Sequence, residues 1–230
     1  MLRHTAFFLL RESSGPEEMT WMQKGSAYMR FTAAGPVAID FGSDLFGGSM
    51  HLRDTKPWHR TPRWHGAEEG PPSDYDVALH LDFEDEAGLK AYNEDDVHHE
   101  VAVYNASVCQ GELTARIDWW YDGAPLMEAG KIRHSAMFLW KADLDDAGRE
   151  RALAEVKRLG DEPGVEKLTI GTNVGTLRTD YDWIVDLQLP DEEAARALID
   201  GEGYRDVMRS LAEATKYEWT ARLTHRMHGH

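Results

Sequence analysis

The side chains best suited to moving a proton in this chain lie close together: Tyr92, His98 and His99, with Asp95 and Asp96 between them. An imidazole titrates near neutral pH and can both take and return a proton, so His98 is the strongest candidate for acid–base work. Asp95 and Asp96 are expected to orient its ring or raise its pKa. Tyr92 offers a phenol, but it precedes His98 by nearly two turns and would not share a face with it on an unbroken helix. The two side chains converge only if the helix breaks near Asp95 and Asp96. The plainer alternative is a solvated histidine pair on an acidic helix, with Tyr92 a half-buried aromatic whose hydroxyl stays wet.

These residues belong to a stretch that occurs twice. Asp74-Tyr75-Asp76 and Thr114-Ala115-Arg116 return as Asp180-Tyr181-Asp182 and Thr220-Ala221-Arg222 at one constant offset, so the register between copies holds without a gap. In the first copy, alternation over residues 75–83 predicts a half-buried strand, residues 86–109 a helix, and residues 113–120 a second strand. Residues 181–189, 191–215 and 218–226 repeat that pattern. Upstream, residues 3–10 and 133–140 open the copies with matching strands, followed by helices at 15–32 and 145–159 and short strands at 37–42 and 165–171. Each copy therefore reads βαββαβ, the split βαβ arrangement of ferredoxin-like α+β domains. The expected division is 1–121, a linker at 122–130, and 131–230. The copies differ in what they carry: where the first has Tyr92, His98 and His99, the register places Leu198, Tyr204 and Arg205. His4, by contrast, recurs as His134, and duplication argues for a structural duty common to both copies.

The offset between copies is larger at the first strand than at the third, so the first copy carries an insertion within residues 43–73, rich in Gly, Pro, Trp and His. A loop this long is either a functional lid or a poorly ordered segment. Its Trp58-His59 and Trp64-His65 pairs favour a lid that touches substrate, because disordered loops seldom keep large aromatics. His51, His59 and His65 with His98 or His99 are ligand types that zinc, iron or copper accept, but their spacing matches no ligand motif, and no metal or organic cofactor is expected. His80 alternates away from Val77, Leu79 and Leu81 and reads as a packed or surface histidine.

Composition narrows the class. With 42% hydrophobic and 29% charged residues the chain is an ordinary globular protein, and a net charge of −16 argues against nucleic-acid and anionic-membrane partners. Cys109 is the single cysteine, which excludes an internal disulfide and a thiolate cluster. The apolar run at residues 5–10 is too short to span a membrane and lacks a cleavage site, so it reads as strand, and the cytoplasm is the expected compartment. No Gly-x-Gly-x-x-Gly, phosphate loop, Gly-x-Ser-x-Gly or His-Glu-x-x-His occurs, leaving nucleotide-dependent and common hydrolase readings without support.

The opening Arg3-His4-x-x-x-Phe8 strand, Gly42-x-Asp44-Leu45 and Gly171-x-Asn173-Val174, the Tyr-Asp strands, and Tyr92 with His98 on one helical segment together resemble stress-responsive A/B barrel (Dabb) domains. Both copies show the likeness, which spans nearly the whole chain outside the insertion and linker. It implies a dimeric α+β barrel, two ferredoxin-like sheets face to face with helices outside. With both halves in one chain the barrel can close within a monomer and leave no open sheet edge, while a homodimer of chains stays open. Enzymes of this family include polyketide cyclases that work without metal or organic cofactor. By motif, their helix Tyr falls on Tyr92, their catalytic His on His98, their first-strand His on His4 and their third-strand pocket His on Val77. Their His-Pro-Ala-His box is Asp95-Asp96-Val97-His98 here, without the Pro and the first His. The resemblance thus implies His98, Tyr92 and His4 as catalytic, with Val77, His99, Trp58, His59, Trp64 and His65 against a small-molecule substrate. The implied function is a cofactor-independent cyclase, isomerase or lyase acting on a small, carbonyl-bearing aromatic or polyketide-like molecule: His98 moves a proton beside the carbonyl and Tyr92 holds the developing oxyanion. Two alternatives stay open, a non-catalytic stress-associated binder of hydrophobic ligands and a His-ligated metal or haem enzyme.

Overall fold

A computed structural model of the chain describes residues 1–46, 74–125, 128–175 and 181–228. The first copy contains β1 (Leu2–Phe8), α1 (Pro16–Thr32), β2 (Ala38–Ser43), β3 (Val77–Phe83), α2 (Glu86–Glu94), α3 (Asp96–Val108) and β4 (Ala115–Trp120). The second contains β5 (Ile132–Phe138), α4 (Asp146–Lys157), β6 (Lys167–Thr172), β7 (Trp183–Leu189), α5 (Glu192–Asp200), α6 (Glu202–Ala214) and β8 (Ala221–Arg226). They form two four-stranded antiparallel sheets in the order β2-β3-β1-β4 and β6-β7-β5-β8. The chain is an α+β protein of two ferredoxin-like units.

Apart from β6, the strands are largely buried on both faces, and period two sorts their side chains. On β1, Leu2, Ala6 and Phe8 pack in a core with α1, α2 and α3, whereas Phe7 joins Ile117, Trp119, Ile184 and Leu223 in a core between the sheets. The space between the sheets is also charged. Arg3 grips Asp82 with two bonds of 2.7 and 2.8 Å and reaches Asp186 of the other sheet at 3.0 Å. Arg133 answers from β5 with a 2.8 Å bond to Asp40 on β2. His80 is fully buried in this layer, its Nδ1 3.1 Å from the Thr5 hydroxyl and its ring stacked on His225, so it is packed and lies away from the surface.

The sheets meet edge to edge as well as face to face. Bridges from Asp44 to His225 and from Trp119 to Asn173 join β2 to β8 and β4 to β6, so the two sheets close on each other within one chain. The glycines of the two short repeat motifs permit this approach: a Cβ on Gly171 would collide with the Trp119 ring, and one on Gly42 with the His225 ring.

The helix expected over residues 86–109 is two helices. Asp95 ends α2 and caps α3, its carboxylate accepting from the amides of Val97 at 2.8 Å and His98 at 3.3 Å. A short acceptor at this position satisfies orphan amides better than a continued helix could. In the second copy the break falls at Gly201, between α5 and α6. Among the described residues no helix is long and apolar enough to cross a membrane.

Candidate active site

The break at Asp95 turns the chain so that Tyr92, near the end of α2, meets His98, on the first turn of α3. Their rings stack with centroids 4.0 Å apart. They border a cavity of about 110 Å³ between the first sheet and helices α1 and α3, whose polar lining is His4, Tyr92, His98, Asn105, Thr114 and Arg116. His4, distant in sequence, thus shares one cavity with Tyr92 and His98, the residues the resemblance grouped with it.

His4 stands on β1 directly opposite Asp118 on β4, and its Nδ1 lies 2.6 Å from Asp118 Oδ1. Asp118 is fully buried, so the carboxylate fixes the ring and its tautomer: Nδ1–H donates to the acid and Nε2 carries the lone pair. A carboxylate behind an imidazole also stabilises the imidazolium formed when Nε2 takes a proton.

His98 departs from expectation. Burial pushes its pKa down to about 4, the positive ends of His4 and His99 add to the drop, and the Tyr92 carbonyl and Asp95 oppose it without prevailing. The Asp95 carboxylate is taken up by main-chain amides, including that of Ala34 at 3.0 Å, which hold its own pKa down. Asp96 is exposed on the first turn of α3. His98 is therefore a neutral ring at physiological pH. Burial raises the Tyr92 phenol far above its ordinary pKa, and among the described residues its hydroxyl donates only to the Met29 sulfur, 3.8 Å away. Thioether sulfur is a weak acceptor, which a ligand oxygen can displace.

Other expected contacts fall elsewhere. His99 is exposed, its ring 5.7 Å from that of His98, and it does not line the cavity, because the next position on the helix points away from the sheet. Val77 is fully buried in the core opposite Phe8 and Ser43 and does not itself line the cavity. Trp58, His59, Trp64 and His65 lie outside the described residues. Both flanks of the insertion dock on the second copy: the Leu45 amide donates to the Thr224 carbonyl at 2.8 Å, the Arg196 guanidinium sits over the Phe46 ring, and the Asp74 amide donates to the Arg222 carbonyl. The chain beside His4 and Asp118 comes instead from the segment just after β6, where the Val174 amide donates to the Asp118 carbonyl at 2.9 Å.

The second copy shows what the same site becomes without these groups. Thr224 replaces Asp118 and lies 2.7 Å from His134 Nδ1, while Tyr204, in the place of His98, puts its hydroxyl 2.8 Å from His134 Nε2. Both ring nitrogens are thus occupied, and burial, aided by Arg222, pushes the His134 pKa down to about 3. Asp118, Asn105 and Arg116 escaped the reading of the sequence. The available signal was the repeat register, which sets an acid at 118 against a threonine at 224 on the strand facing the first-strand histidine.

The sequence matches no protein-family model, and no curated protein matches it. Solved structures do match. An anthrone oxidase-like protein superposes with a TM-score of 0.65 at 11% identity, over 98% of this chain and 90% of that one. A candidate monooxygenase from Fusobacterium nucleatum gives 0.59 at 10% identity, over 99% and 92% of the two chains. The shared feature is the fold. Ferredoxin-like proteins of half the length match as well, among them a Dabb family protein from Mesorhizobium loti with a TM-score of 0.38, at 18% identity over 42% of this chain and 95% of that one.

Proposed function

We propose that this chain is an enzyme that transfers protons on a small carbonyl compound without an organic cofactor, with His4 as its base. The observation that carries this reading is the 2.6 Å contact between His4 and a fully buried carboxylate at the edge of a cavity. Nε2 of His4 takes a proton from the carbon beside the carbonyl, and the electron pair moves onto the carbonyl oxygen. Tyr92 leaves the Met29 sulfur to donate to that enolate oxygen. His98, uncharged above about pH 4, offers a neutral hydrogen-bonding wall and does not compete for the proton. Return of the proton to a different atom completes an isomerisation, and attack by the carbanion on a second carbonyl completes a cyclisation. The role of base thus moves from His98 to His4. The cavity, about 110 Å³, is smaller than the roughly 150 Å³ that accommodates benzene, so it encloses the reacting end of a substrate and leaves a larger aromatic or polyketide-like body outside.

A second reading draws on the full-length neighbours, described as anthrone oxidase-like and as a candidate monooxygenase. The same deprotonation yields a carbanion that molecular oxygen can oxidise. Deuterium uptake next to the carbonyl, followed across a panel of small ketones, keto acids and anthrones with oxygen consumption recorded in parallel, tests both. Exchange in the wild type that disappears in a folded His4→Gln variant is expected. Exchange at the wild-type rate in that variant, or none with any compound, overturns the proposal.

A further inference from the structure

Arginine side chains in this protein are paired wherever they are deeply buried between the sheets: Arg3 with Asp82 and Asp186, Arg133 with Asp40. On the other face two equivalent arginines lack such pairing: Arg222 of the second copy, 2% exposed with neither terminal nitrogen hydrogen-bonded among the described residues, and Arg116 of the first. Arg116 is half-buried on β4, it lines the cavity with His4 and His98, and among the described residues it makes no hydrogen bond and no ion pair. Arg222 is sealed among buried residues, whereas Arg116 opens on a cavity, where an unpaired guanidinium is placed to take an anion from outside. A second observation points the same way. Asn105, on α3 across the cavity, is 5% exposed, and its side-chain carbonyl is buried without a hydrogen-bond partner. A half-turn of that amide presents its NH2 to a bound oxygen.

We infer that Arg116 and Asn105 form a carboxylate-binding subsite in the first copy, and that the substrate of this pocket is therefore a keto acid. The first half stands on geometry alone; the second rests on the proposed function, since it takes His4 as the base. Register supplies the spacing. His4 faces Asp118 across the ladder, and Arg116 occupies the diagonal position two residues along, about 7–8 Å away between backbones. That distance suits a carboxylate separated from an acidic C–H by only a few bonds. In the second copy the equivalent Arg222 is 2% exposed beneath the Tyr217 ring and Tyr204 fills the space before it, so the subsite belongs to one copy only.

The probes are propionate and its neutral isostere propionamide, titrated into the whole protein while the histidine ring resonances are followed by NMR. Propionate should shift the His4 and His98 signals saturably and leave His134 unmoved, with propionamide at least about tenfold weaker, as expected for loss of a charge-assisted bond. Arg116→Gln should weaken propionate by a similar factor and Arg116→Lys by less, with the His134 signals reporting an intact fold in both. Equal binding of the two probes, undiminished binding by Arg116→Gln, or no saturable shift with propionate overturns the subsite. None of these results bears on the deuterium exchange by His4, so the two ideas fail separately.

Discussion

His4 and Asp118 face each other across the β1 and β4 ladder with Nδ1 and Oδ1 2.6 Å apart, and the same two positions of the second copy hold His134 and Thr224 in an otherwise similar contact of 2.7 Å. Hydroxyl for acid at this position, with Tyr204 in the place of His98, separates a ring held in a neutral network from a ring backed by charge. The difference is chemical more than geometric, and it defines where variants should act.

Asp118→Asn keeps the shape of the contact but removes the charge that stabilises an imidazolium and fixes its tautomer. Proton exchange on a reactive carbonyl compound should fall by about 10²–10⁴-fold with little change in thermal midpoint. A variant that exchanges at the wild-type rate would reduce Asp118 to a structural contact.

Acid should weaken the fold through its histidines. His98 titrates near 6.5 when unfolded and at about 4 when folded, and His134 at about 3, so between these values the unfolded chain binds more protons. The histidine contribution to stability therefore rises with pH across this window and is lost progressively as pH falls below 6.5, opposed by Asp74, whose pKa burial raises to about 7. In urea midpoints measured from pH 7 to 4, His98→Tyr, which reproduces the residue of the second copy, should gain on the wild type as pH falls, because it removes the His98 share of the acid loss.

Arg3→Met strands Asp82 and part of the Asp186 charge between the sheets. The expected cost is about 3–5 kcal/mol in urea unfolding. Combining it with Asp82→Leu should recover much of that loss, because the second change removes the stranded charge.

Gly171→Ala places a methyl group against the Trp119 ring at the seam between β4 and β6. Overpacking of this kind should cost about 1–3 kcal/mol. Gly111→Ala meets no atom within 4 Å and serves as the control, expected within about 0.5 kcal/mol of the parent.

Strands and helices were legible because alternation and repeat register are local properties of the sequence, and both copies reinforced the same pattern. The break at Asp95 was legible only as a condition, since whether an aspartate caps a new helix depends on amides that the fold must aim at it. Asp118 was not legible as the partner of His4: the two lie at opposite ends of the first copy, and only antiparallel pairing brings them level. The histidine next to His98 illustrates the opposite error. His99 has suitable chemistry, but one step along a helix turns a side chain by about 100°, out of the cavity. The drop in the His98 pKa followed from burial, which a run of acidic neighbours in sequence does not report.

Closure of both sheets within one chain has a consequence for stoichiometry. When two identical subunits build a barrel, every mutation is made twice and the two pockets must change together. Covalent fusion releases that constraint, and here the halves have parted company: one retains an accessible imidazole, while the other has plugged its counterpart with a phenol. A ligand for this cavity should accordingly saturate at a single equivalent per polypeptide, along a simple hyperbola with no cooperativity.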